Sequence, residues 1–116
     1  MSFEAMSDKE VLFIANPIMD NLMEASTAID HERHVVDFTD RLKSIVTKEY
    51  LQKVCEQYQS EKGYFAKREV VAVFKRPNSA IIIYRQYFTR AKGEFVAEMV
   101  LVKEGGRYQC DHVMVF

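Results

Sequence analysis

Gly63 divides this chain into halves with different periods. Before it, apolar residues recur every three or four positions; after it they crowd into Val-, Ile-, Phe- and Tyr-rich runs broken by short polar segments. A helical half followed by a strand half points to an α+β fold, in which helices cover one face of an antiparallel sheet. With 116 residues, 48% of them hydrophobic, the chain is expected to form a single domain over 1–116 that needs no metal or disulfide staple. Eight Phe and six Tyr argue against disorder, and four Gly with two Pro against low complexity.

Three helices are predicted within about residues 7–62. Ser7 followed by Glu10 has the form of a capping box, and Val11, Ile14, Ala15, Ile18, Leu22, Ala25 and Ile29 then fall on one helical face. Asn16-Pro17 offers a second start, with Asn16 as cap and Pro17 in the first turn. Asp30-His31-Glu32-Arg33-His34 reads as a polar break, followed by a short helix marked by Val35, Phe38, Leu42 and Ile45. Thr47 caps a third helix carrying Tyr50, Leu51, Val54, Cys55 and Tyr58 on its apolar side, and Gly63 ends it. Four strands follow over 64–75, 80–90, 94–103 and 107–116, joined by tight hairpins at 76–79, 91–93 and 104–106.

Charge is distributed unevenly. Residues 1–60 hold 6 Lys/Arg against 11 Asp/Glu, net −5, and residues 61–116 hold 10 against 6, net +4. The basic residues of the second half alternate with apolar and acidic ones, so mutual attraction of the halves is expected rather than nucleic-acid binding, which needs clustered positive charge. The segment 1–10 carries Glu4, Asp8 and Glu10, unlike the basic start of a secretory leader, and no apolar run approaches membrane-spanning length. Cys55 and Cys110 lack the close pairing of zinc or redox centres and read as buried small residues in a reducing, cytoplasmic compartment. His31 and His34, with Asp30 and Asp37, have helical spacing but no complete ligand set, so no metal site is expected.

The polar break after the first helix, the segments Phe38-Thr39-Asp40-Arg41-Leu42-Lys43 and Val46-Thr47-Lys48-Glu49-Tyr50-Leu51, and the exit Lys62-Gly63-Tyr64-Phe65 together resemble the nuclear-transport-factor-2-like superfamily, the cystatin-like α+β roll, in its small bacterial members. The resemblance spans about residues 7–116. It implies three helices on a curved four-stranded meander, a cone-shaped cavity between helices and sheet, and frequently a dimer through the other sheet face. It implies no particular reaction, since the superfamily holds enzymes, ligand binders and interaction modules.

Strand alternation suggests what would line such a cavity. Tyr84, Gln86 and Phe88 are expected to share a face with Phe95, Ala97, Met99 and Leu101, and with Tyr108, Cys110, His112, Met114 and Phe116. Ile81, Ile83, Arg85, Tyr87, Val96, Glu98, Val100, Val102, Asp111 and Val113 take the other face. Both faces are largely apolar, so the second needs its own cover, and a homodimer is the expected one, with Arg85 and Glu98 as neighbours that fix its register.

Tyr84, Gln86, Met99, Cys110 and His112 are therefore the expected ligand-binding residues, and the ligand a small apolar molecule. His112, the one strand histidine, is a weak candidate for a general base, with a hydrogen-bonded core histidine as the expected alternative. Asp111 should point away from it, and no matched catalytic set, nucleophile elbow or phosphate-binding glycine loop is present, so no cofactor is expected. The sequence favours a non-catalytic ligand-binding or protein-interaction module. The alternative is a small cofactor-independent enzyme of the isomerase or hydratase type, with His112 as base and Tyr84 as hydrogen-bond donor.

Overall fold

A computed structural model describes residues 2–116, and its element order is helices first, sheet second. After a short 3-10 turn at Phe3–Ala5, α1 runs from Asp8 to Ala28. Of its two possible starts the chain takes the earlier: the Glu10 N–H donates to Ser7 Oγ at 3.1 Å and the Ser7 N–H to Glu10 Oε1 at 3.0 Å, closing the capping box. Pro17 then lies inside the helix. Its missing N–H removes one helical bond, and what outweighs that loss is burial of Val11 and Ala15, which a helix starting at Asn16 would forfeit. The exit at Ile29 is left-handed (φ 52°), a costly conformation for a β-branched residue. It lets the Asp30 N–H reach Ala25 O at 2.8 Å.

The expected second helix is divided. His31–His34 forms a one-turn helix, α2, with Asp30 accepting from the Arg33 N–H, where a polar break was predicted. The chain then extends before α3, Asp40–Ile45, which Thr39 caps. The cause is a tertiary contact: Phe38 bridges Cys110 in parallel, with Cys110 N–H donating to Asp37 O at 2.7 Å and Thr39 N–H to Cys110 O at 3.0 Å. Backbone pairing with the sheet thus overrides the helical spacing of Val35 and Phe38. The long helix α4 spans Lys48–Lys62, capped by Thr47 and ended by Gly63 as expected. Gly63 has φ 82°, and a Cβ there would collide with the Thr89 hydroxyl, which accepts from the Tyr64 N–H.

Four antiparallel strands form an open meander in the order β1 (Phe65–Lys75), β2 (Ser79–Phe88), β3 (Phe95–Glu104) and β4 (Arg107–Val115). Each end lies within two residues of its predicted place, because the hairpin residues Pro77-Asn78, Gly93 and Gly105-Gly106 terminate pairing locally. The register Ala80↔Leu101, Ile82↔Met99, Tyr84↔Ala97 and Gln86↔Phe95 gives β2 and β3 the expected faces, and the inward residues Ala80, Ile82, Tyr84, Ala97, Met99 and Leu101 are at most 1% exposed. They meet Val11, Ala15, Met19 and Leu22 of α1 to form the core.

The expected faces fail in β4. Leu101 pairs with Cys110, but Val100 pairs with His112, so Asp111 is an extra residue and the alternation reverses after it. Val113 and Val115 join the inner face opposite Met99 and Ala97, while His112 and Met114 turn outward beside Val100 and Glu98. Thr39 Oγ1 donates to Asp111 Oδ1 at 2.7 Å, and the Arg41 guanidinium donates to both the Asp111 carboxylate and carbonyl, which holds the bulge open.

Candidate functional site

A cavity of about 490 Å³ lies between the helices and the inner face of the sheet's β4 side. Helices and sheet wall it together. Met23 and Ser26 come from α1, Leu42 and Ile45 from α3, and Tyr50, Leu51, Val54, Cys55, Tyr58 and Lys62 from α4. Val113–Phe116 form the opposite wall, and Phe65, Phe88 and Phe95 close one end. The lining is mostly apolar, and the volume lies within the ~300–1,000 Å³ common for small-molecule sites. The helical spacing of Leu51, Cys55 and Tyr58 (steps of four and three) puts them on one stripe of α4 facing inward. At the closed end, rings of Tyr58 and Phe65 are 4.8 Å apart, Phe65 and Phe88 5.1 Å, and Phe88 and Phe95 5.0 Å. Edge-on and tilted contacts of this kind fix the wall's shape.

Polar groups are few and specific. Ser26 Oγ shares hydrogen bonds with Tyr58 OH at 2.9 Å and Cys55 Sγ at 3.2 Å, and Gln59 Nε2 donates to Tyr58 OH at 3.3 Å. Burial pushes both the Cys55 thiol and the Tyr58 phenol up, so each stays protonated and acts as a hydrogen-bonding group rather than a nucleophile. His34, buried in another part of the wall, donates from Nδ1 to Leu22 O at 3.2 Å; burial lowers its pKa to about 4 and keeps it neutral. Lys62 stands at the aromatic end with Nζ 5.8 Å from the Phe88 and Phe95 centroids, and Arg41 stands with His112 beside the bulge.

Of the five residues expected to bind ligand, only His112 borders the cavity, at its β4 edge, with its imidazole turned to Glu98. Tyr84 lies under α1, its hydroxyl donating to Asn16 Oδ1 at 2.9 Å, with burial pushing its pKa up to about 12. Gln86 is fully buried beside an irregularity in β1, where its Nε2 donates to Ala66 O at 3.1 Å and Tyr87 O at 2.9 Å. Met99 and Cys110 are core residues, and burial raises the Cys110 thiol to about 12. The expected core alternative for His112 also gives way: its side chain is 36% exposed and Nε2 lies 2.7 Å from Glu98 Oε2. Arg85, expected beside Glu98, instead pairs with Glu94 at 3.3 Å and Glu69 at 3.9 Å. The face expectation placed the cavity over the middle of β2 and β3, but α1 fills that region and the open space lies toward β4.

The group weighed as metal ligands is dispersed among structural partners. His31 Nε2 donates to Val46 O, His34 to Leu22 O, Asp30 caps α2, and Asp37 accepts from Arg107. Among the described residues no three His, Cys, Asp or Glu are grouped to hold a metal ion, and no helix is long and apolar enough to cross a membrane. Both cysteines are free and buried.

No protein-family model matches the chain, and no curated protein matches it. Solved structures do. A putative calcium/calmodulin-dependent protein kinase type II association domain from Thiobacillus denitrificans matches with a TM-score of 0.62 at 11% identity, over 86% of this chain and 91% of that one. A SEC-C motif containing protein from Rhodopseudomonas palustris gives 0.61 at 14% identity, over 84% and 74%. A DUF4783 family protein from Bacteroides uniformis gives 0.52 at 16% identity, over 83% and 93%. The likeness is one of fold. All three are similar to this chain as small α+β domains, at identities too low to carry an activity across.

Proposed function

We propose that this protein is a small-ligand-binding module of the nuclear-transport-factor-2-like type, cytoplasmic, which holds an apolar molecule between α4 and β4. The observation that carries the reading is the cavity itself: about 490 Å³ of space beside a well-packed core, walled by aliphatic and aromatic side chains, with the Ser26–Tyr58 hydroxyl pair as an orienting polar group. The space is open to water, and an apolar guest gains by displacing that water from aliphatic and aromatic walls. The two free thiols fit a reducing compartment.

The outer sheet face supports a second copy as the cover for its apolar residues. Phe74 is 56% exposed and pairs with Ile81, which in turn pairs with Val100, making a continuous apolar strip across β1, β2 and β3. One of the similar structures is a putative association domain, which agrees with use of this fold for assembly.

Native mass spectrometry of the freshly purified protein, followed by denaturing analysis of what is released, tests the cavity. A retained small molecule is expected. Val54→Trp, which projects an indole into the space from α4, should abolish retention while leaving the circular dichroism spectrum unchanged. A wild type that retains nothing, and whose affinity for an apolar dye is unaltered by Val54→Trp, would refute the reading.

Proton transfer by His112 remains the second reading, and Glu98 favours it by supplying the carboxylate that orients an imidazole. The Tyr84 hydroxyl that was to assist it is committed to Asn16.

A further inference from the structure

The charged side chains that line the cavity are all of one sign. Lys62 and Arg41 line it together with His34, His112 borders it with its ring turned to Glu98, and no Asp or Glu lines it among the described residues. This stands out in a chain whose formal net charge is −1. The acids that answer these groups lie outside the lining and differ in how well they do so. The Arg41 guanidinium is held by both the carboxylate and the carbonyl of Asp111, and His112 by Glu98 at 2.7 Å. Lys62 has only Glu61, its chain neighbour, at 3.6 Å, beyond hydrogen-bonding distance, with the Glu61 side chain 55% exposed.

Lys62 is also placed for a ligand rather than for solvent. Its side chain is 31% exposed, and its ammonium lies equally close to the Phe88 and Phe95 rings, at 5.8 Å from each centroid. The side chain thus lies along apolar wall at the aromatic end, with its ammonium beside the two rings. An ammonium bordered by low-dielectric surface, whose one ion pair among the described residues is the long contact to the exposed Glu61, attracts an anion more strongly than one in open water.

Resting on the reading of the cavity as a ligand site, we propose that its ligand is an apolar monocarboxylate, with the carboxylate on Lys62 Nζ and the hydrocarbon or aryl body along Phe88, Phe95 and Val115. A single anionic group is specified because Arg41 and His112 at the other end already have their acids. A neutral molecule of the same shape leaves the ammonium unanswered, and a cationic one meets it with repulsion.

Decanoate and decyltrimethylammonium below their micelle concentrations, and decanol below its solubility limit, separate charge from hydrocarbon when titrated calorimetrically into the protein at pH 7. Decanoate is expected to bind about tenfold more tightly than decanol, and the cation most weakly. Lys62→Gln should remove about tenfold of decanoate affinity and leave decanol unchanged, while Lys62→Arg should restore most of the loss. If decanol binds as tightly as decanoate, or if Lys62→Gln weakens both equally, the carboxylate inference is overturned while an apolar-ligand site remains. If none of the three binds, the ligand-site reading fails with it.

Discussion

His34 is the residue whose behaviour the structure fixes most sharply. It ends α2 with 8% exposure, Nδ1 donating to Leu22 O at 3.2 Å and its ring meeting Phe38 edge-on at 5.3 Å. Burial lowers its pKa from 6.5 to about 4, and the nearby His31 acts in the same direction. Between these values the unfolded chain binds a proton that the folded chain refuses, so stability rises with pH across that window and falls on acidification. Taking 1.36 kcal/mol per pKa unit, the loss attributable to His34 is about 2 kcal/mol at pH 5 and about 3 kcal/mol once the pH is well below 4. The variant that isolates it is His34→Asn, whose Nδ2 can replace the donor to Leu22 O without titrating. Urea unfolding at pH 7 should show the variant less stable by about 1–2 kcal/mol, from lost ring packing on Phe38. At pH 5 the gap should close or reverse, since only the wild type carries the proton penalty. Parallel stability–pH profiles for the two proteins would refute the argument, because every other acid-sensitive group is common to both.

Two further outcomes follow from the geometry. Ile81→Arg puts a charge at the centre of the strip formed by Phe74, Ile81 and Val100, and sedimentation velocity at micromolar concentration should show a dimeric wild type and a monomeric, folded variant; a monomeric wild type would end the dimer proposal. Gly63→Ala combines a positive φ with a Cβ driven against the Thr89 hydroxyl, and should cost on the order of 2–3 kcal/mol in urea unfolding; a loss under 0.5 kcal/mol would show that the α4 exit relaxes freely.

Most of the fold was legible because its signals are local. Ser7 with Glu10, Thr47, Gly63 and Gly105-Gly106 each act within a few residues of themselves, so the long helices and the strands fall where the sequence places them. The segment 31–45 was read wrongly for the complementary reason. Val35 and Phe38 have helical spacing, but Asp37 and Thr39 pair with Cys110, more than seventy positions away. No window of the sequence contains that partner.

The candidate site was misread through one residue. Alternation is a rule of period two, and a single inserted position inverts every side chain beyond it. Asp111 is that position, and what holds it out of register is Thr39 and Arg41, again distant in sequence. The inversion carries Val113 and Val115 into the cavity wall and sends His112 outward to Glu98, so the residue chosen for its apolar strand neighbours acquires a carboxylate partner. Neighbours in a strand lie on opposite faces, and those flanking His112 therefore said nothing of its surroundings. On α4 the helical period did hold, and Cys55 and Tyr58 were placed correctly on its inner stripe. Nothing in the sequence separates the two roles, because a stripe facing a cavity and a stripe facing a core have the same pattern. Lys62 continues that stripe one turn further, but a lysine before the glycine that ends a helix is what any helix C-terminus favours, so its type did not separate cavity from core either.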